Sequence, residues 1–227
     1  PSAFDMRAFE HMPSPLRILL VDDDPFTLTM LSTALTSLGF TEVTSAQSAS
    51  AAIALAQHVQ PQTVVVDLDL GEGPTGIDLA HRLRKLFPNI GVVVLSTYVE
   101  PRLIGTQQQS MPAGSIYVVK QTISNLDTLL SAIVKSVKTP SSPDVQITEP
   151  SPIAHLGDSQ VEIMRLIAGG MSNAQIAEKL IMQEASVEKA IARLIKQLGV
   201  KATREQNQRV LIAQQYHQLT KATHEPR

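Results

Sequence analysis

Four short aliphatic runs each end in a residue able to do chemistry. Leu19, Leu20 and Val21 lead into Asp22, Asp23 and Asp24; Val64, Val65 and Val66 into Asp67; Val94 and Leu95 into Ser96; Val118 and Val119 into Lys120. If these ends meet, several carboxylates share one small volume, where each raises the pKa of the others unless a cation neutralises them. Mg²⁺ suits such a place, because it prefers oxygen ligands, keeps several waters and takes one or two protein carboxylates together with a phosphate. A carboxylate beside Mg²⁺, with a hydroxyl and a lysine nearby, is equipped for phosphoryl transfer onto aspartate.

The elements that must position these groups follow from periodicity. Residues 17–21, 63–68, 91–96 and 115–119 are short, aliphatic and rich in β-branched side chains, as strands buried on both faces should be, and 41–44 supplies a weaker fifth. Helical patterns separate most of them, over 25–38 with Leu28, Leu31 and Leu35 on one face, and over 49–58, 76–87 and 122–137. Alternating strand and helix predicts a parallel sheet covered on both sides, with any ligand site at the carboxyl ends of its strands. Asp24, directly before Pro25, is expected to cap the first helix rather than bind metal.

Composition sets outer limits. The 227 residues include no Cys and no Trp, and 43% are hydrophobic but only 4% aromatic, so the cores of two modest domains must be aliphatic. The lack of Cys excludes disulfide scaffolds, thiolate zinc sites, iron–sulfur ligation and cysteine nucleophiles, and it fits a reducing cytoplasm. No apolar run approaches the ~20 residues that span a bilayer, so no membrane partner is expected. The formal charge of −2 hides an asymmetry: residues 16–138 hold 8 basic against 10 acidic residues, while 153–221 hold 9 against 6.

The expected organisation is a flexible N-terminal extension over 1–15, an α/β domain over 16–138, a Pro/Ser-rich linker over 139–152, a basic helical domain over 153–221 and a tail over 222–227. In the basic domain, Asp158, Ser159 and Gln160 open an apolar helix that Gly169 and Gly170 end, and Ser172 and Asn173 cap a short one. A further helix follows from about Val187 to Leu198, stopped by Gly199. A short helix, a tight turn and a second helix of mixed polarity form a helix-turn-helix, whose second helix can enter a DNA major groove.

The four strand ends, in this order, resemble the receiver domain of two-component response regulators over nearly all of 16–138. The resemblance implies a flavodoxin-like fold with a five-stranded parallel sheet in the order 2-1-3-4-5. It also implies Asp67 as phosphoacceptor, Asp22, Asp23, Asp67 and the backbone carbonyl of Asp69 around Mg²⁺, Ser96 as switch hydroxyl with Thr97 a second choice, Lys120 as the pairing cation and Tyr117 as an aromatic switch. Tyr117 could equally be a half-buried strand aromatic. Gln121 stands where receivers commonly have Pro, and the loop from Gly71 to Gly76 is richer in Gly than usual.

Gly170, Asn173, Ile176, Ala177, Leu180, Val187, Leu194 and Gly199 resemble the LuxR/NarL-type output domain, which implies an all-α helix-turn-helix with a last helix, around 205–219, available for dimer packing. Lys189, Arg193 and Lys196 are then candidates for phosphate or base contacts. Glu188, where relatives often have Lys, could accept from cytosine N4, and Ala192 replaces another frequent Lys. Arg204 and Arg209 could grip phosphates or brace the last helix. The whole resembles a cytoplasmic response regulator, phosphorylated on Asp67 by a sensor histidine kinase, that binds operator DNA as a homodimer and is not a dedicated enzyme. The alternative is a phosphorylation-controlled adaptor with a degenerate helix-turn-helix.

Overall fold

The computed structural model describes residues 15–104, 110–120, 126–140, 142, 146–147, 153–199 and 207–220. The chain divides into two units, one made of Pro1–Ser96 and Gln109–Glu149, the other of Thr97–Gln108 and Pro150–Arg227.

In the first unit, β1 (Arg17–Val21), β2 (Glu42–Ala46), β3 (Thr63–Asp67), β4 (Gly91–Ser96), β5 (Ile116–Val119) and β6 (Gln146–Ile147) form one parallel sheet in the order β2-β1-β3-β4-β5-β6. The first five strands keep the expected 2-1-3-4-5 order. The sixth was not expected: two residues inside the stretch assigned as linker pair with Ile116 and Tyr117. Backbone pairing asks nothing of side-chain periodicity, so a Pro/Ser-rich run gives no notice of it.

Alternation along the strands fills both faces. Ile18 and Leu20 of β1, Val65, Val93, Leu95 and Val118 pack with Leu28, Leu31 and Leu35 of α1 (Pro25–Ser37) and Leu129, Leu130 and Ile133 of α4 (Leu126–Lys138). On the other face, α2 (Ala49–Val59) packs against β1 and α3 (Gly76–Leu86) against β3 and β4, with Leu19, Val64, Val66, Ala52, Ile77 and Leu83 fully or almost fully buried. Burying a Val or Leu side chain contributes about 1.5–3 kcal/mol, and this aliphatic sandwich makes good the shortage of aromatics.

The second unit has α5 (Asp158–Ala168), α6 (Asn173–Leu180), α7 (Glu184–Gln197) and α8 (Gln208–Thr220) around Ile153, Leu156, Val161, Met164, Ile176, Val187, Leu194 and Ile212. Ser172 caps α6 by accepting from Gln175 N, while Gln175 Oε1 accepts from Ser172 N. Ile181 closes α6 in the left-handed region at φ 54°. The next helix begins at Glu184, three residues before the expected start, and runs to Gln197.

The second unit is not contiguous in sequence. It includes Thr97–Gln108, which follows β4. Its Pro101–Ile104 forms a 3₁₀ turn. The reason is burial: Leu103 has no exposed surface and lies in the apolar cluster of α5, α6, α7 and α8.

Candidate functional site

The carboxyl ends of β1, β3, β4 and β5 carry the groups singled out from sequence. Asp22 follows β1, Asp67 ends β3, Ser96 ends β4 and Lys120 follows β5. Pairing Asp67 with Leu95 and Ser96 with Val119 brings these strand ends side by side.

Carboxylate oxygens of Asp22, Asp23 and Asp67 all lie within 4.8 Å of one another. Asp22 and Asp67 are buried and Asp23 is exposed, so the cluster opens to solvent on one side. The Lys120 ammonium stands 2.8 Å from Asp22 Oδ2 and 3.0 Å from Asp67 Oδ2. Burial pushes the Asp67 carboxyl up to about 6 against the downward pull of Lys120. Burial also pulls the Lys120 ammonium down, but Asp67 and Asp22 outweigh it and hold the group above its ordinary value. One ammonium faces three carboxylates, and a divalent cation fits the remaining charge and the all-oxygen donor set.

The first turn after β1 is held in shape by its own acids. Asp22 Oδ1 accepts from Asp24 N at 2.9 Å, and Asp24 caps α1 by accepting from Phe26 N and Thr27 N at 3.1 and 3.0 Å. Hydrogen bonds from Thr27 and Phe26 lower the Asp24 pKa, as a capping carboxylate requires. Behind Asp67, α3 starts so close to the strand that a Cβ on Gly76 would lie 2.0 Å from the Asp67 carbonyl oxygen. Only glycine fits there, and Gly76 N donates to Leu68 O at 2.9 Å to close the loop.

The other sequence candidates separate into two sets. The exposed Asp69 side chain accepts from Gly71 N at 3.2 Å and lies outside the carboxylate cluster. Ser96 is 1% exposed, and Tyr117 is fully buried rather than half-buried. On α7, Val187, Ile191, Leu194 and Ile195 face the core, whereas Glu188, Lys189, Arg193 and Lys196 share the exposed side. Arg204 lies outside the described residues. Arg209 is engaged internally: its guanidinium donates to Asn173 Oδ1 at 2.5 Å and to the carbonyl of Met171, tying α8 to the start of α6.

Sequence reasoning missed one further group. Arg102 donates to the carbonyls of Leu156 and Ile153 at 2.6 and 3.1 Å, and pairs with Glu100 and with Asp158. The lone Leu103 in a run without period was the only hint that this connection has a packing role.

Residues 18–133 match the family model described as the response regulator receiver domain, and residues 154–208 match that of bacterial regulatory proteins, luxR family. The chain belongs to the response-regulator receiver family. With a luxR-family domain behind the receiver, it is a DNA-binding two-component response regulator. It is 28% identical over 199 residues to the nitrate/nitrite response regulator protein homolog of Haemophilus influenzae, covering 83% of this chain and 93% of that one. It is 24% identical over 206 residues to the oxygen regulatory protein NreC of Staphylococcus carnosus, covering 84% and 94%. A solved complex of the two-component response regulator RcsB with DNA has the same fold, with a TM-score of 0.54 at 18% identity over 91% of this chain and 99% of that one. No helix among the described residues is long and apolar enough to cross a membrane.

Proposed function

We propose that Asp67 accepts a phosphoryl group from a sensor histidine kinase in the cytoplasm, and that this modification controls operator binding by a homodimer. The observation that carries the reading is the shared ammonium: Lys120 bridges Asp22 and Asp67 while Asp23 completes the carboxylate cluster. Asp22, Asp23, Asp67 and the Asp69 carbonyl would hold Mg²⁺, which when bound neutralises phosphoryl oxygens. An Asp67 oxygen attacks phosphorus, the Oδ–P bond forms as the donor's N–P bond breaks, and the imidazole leaves. Lys120 then exchanges its carboxylate pairing for a phosphoryl oxygen, and the Ser96 hydroxyl donates to another. Tyr117, buried in β5, is proposed to repack as those groups move. The chain is thus a regulator that assists its own modification, not a dedicated enzyme.

Lys189, Arg193 and Lys196 are proposed to contact DNA from the exposed side of α7, with Glu188 biasing base choice toward cytosine. Three cations per protomer give limited phosphate neutralisation, which favours a dimer held through α8. The test is intact-protein mass after incubation with a small acyl phosphate and Mg²⁺, together with DNA selection from genomic fragments. One added phosphoryl group, absent in Asp67→Asn, and tighter DNA binding by the loaded wild type are expected. Unchanged phosphodonor-dependent DNA affinity in Asp67→Asn would overturn the reading.

A further inference from the structure

Ile181, in the turn between α6 and α7, breaks two rules at once. Its φ of 54° lies in the left-handed region, where the backbone crowds a β-branched side chain. The turn has the hydrogen bonds of a helix stop that ordinarily uses glycine or asparagine: Ile181 N donates to Glu178 O at 3.2 Å and Met182 N to Ala177 O at 2.8 Å. The side chain gives the fold almost nothing in return. Ile181 is 95% exposed, more than any other large apolar residue among the described residues. A strained backbone position that contributes no packing points to a use outside the unit itself.

The position of the turn says what that use is. In a helix-turn-helix, the N-terminal residues of the second helix meet the base edges, and α7 starts at Glu184, three residues past Ile181. This end of the motif is poorly equipped for phosphate. From Leu180 to Glu188 the only charged residues are Glu184 and Glu188, and the first cation, Lys189, comes later. Its exposed large apolar side chains are Ile181 and, at 38%, Met182. In the major groove the apolar group of a base pair is the C5 methyl of thymine, while cytosine presents the N4 amine from which Glu188 can accept. Both groups belong to pyrimidines.

We propose that Ile181 is a specificity-determining residue that reads the C5 methyl of a thymine, so that this end of the motif selects pyrimidines through Ile181 and Glu188. This rests on α7 being the DNA-facing helix. The side chain bears strain and exposure in the free protein and is covered only on the DNA. Its branched Cβ leaves few rotamers to lose on contact, and the two turn hydrogen bonds hold its backbone in place beforehand.

The experiment takes the tightest fragment from genomic selection and resynthesises it with uracil in place of thymine, one position at a time. Affinity is measured for the full chain treated with a small acyl phosphate and Mg²⁺, as wild type, Ile181→Asn and Ile181→Gly, two replacements that suit a left-handed backbone. Wild type should lose about fourfold in affinity when the contacted methyl is removed, the worth of one methyl group withdrawn from water. Both variants should bind the thymine form that much more weakly and should bind the uracil form equally well. Neither should melt below wild type, because the strain is relieved. If wild type discriminates at no position, or the variants discriminate as wild type does, the proposal falls while DNA binding by α7 stands, and Ile181 is left to a protein contact. A lower melting temperature in both variants would mean that Ile181 serves packing and would also overturn it. If Lys189→Ala and Arg193→Ala both leave DNA binding unchanged, α7 is not the DNA-facing helix, and this inference falls with that reading.

Discussion

Lys120 Nζ lies 3.0 Å from Asp67 Oδ2, across the sheet from β5 to β3. The contact is the main force opposing burial at Asp67, whose carboxyl already titrates at about 6. Replacing Lys120 by Met removes the cation and leaves Asp22 and Asp23 as neighbours, so the Asp67 midpoint should rise by about one unit or more. Carbon-detected NMR titration of the side-chain carboxyl in metal-free protein reads this directly. A midpoint unchanged in Lys120→Met would mean that the ammonium does not act on Asp67.

Asp67 also makes stability depend on pH, with a definite sign. Its folded value of about 6 lies above the ordinary 3.8, so the folded state keeps a proton through that window and the unfolded state does not. Stability from this group is therefore highest at low pH, falls as pH rises through the window and stays low above it, by up to about 3 kcal/mol. Asp67→Asn does not titrate. In chelator-treated samples, its advantage over wild type in urea unfolding should grow from about pH 3.8 to about pH 6 and level off above that. A constant difference between the two proteins would contradict the cause assigned here, and added Mg²⁺ should shrink the difference at the higher pH.

The connection that follows β4 gives a further prediction. Leu103 precedes β5 in sequence yet lies in the core of the helical unit. Leu103→Ala should destabilise that unit by about 2–5 kcal/mol, the usual range for a buried leucine truncated to alanine. Denaturant titration followed by hydrogen exchange should show amides of α5 and α8 losing protection while those of β1 and β3 keep theirs. Loss of protection confined to the sheet would mean that Leu103 serves the first unit.

How much of this was legible depends on whether a residue's role is local. Asp22, Asp67, Ser96 and Lys120 were readable because each follows an aliphatic run buried on both faces, and a parallel sheet brings such ends together. The cap at Asp24 was readable because Asp before Pro has one common use at a helix start. The packing role of Leu103 was not, since one leucine between Arg102 and Ile104 has no period to identify its partner. Gln146 and Ile147 were hidden in a run whose prolines argue for linker, because strand addition uses backbone groups. Arg209 had two open readings from sequence, and only tertiary proximity to Met171 and Asn173 distinguishes a brace from a free cation.

That distinction separates two kinds of arginine and lysine in DNA binding. Lys189 and Arg193 are exposed on α7, so each that neutralises a phosphate adds about 0.9 to the steepness of the salt dependence per protomer. Arg209 already spends its donors on Met171 and Asn173, and removing it should cost stability of the α6–α8 packing without lowering the slope. Lys189→Ala and Arg193→Ala should therefore flatten the plot of log affinity against log salt by about 0.9 for each protomer bound, or about 1.8 for a dimer, at unchanged thermal stability. Arg209→Ala should leave the slope within error while lowering the melting temperature of the helical unit. The reverse pattern, a flattened slope in Arg209→Ala and none in the α7 variants, would move the DNA-facing surface from α7 to the start of α8.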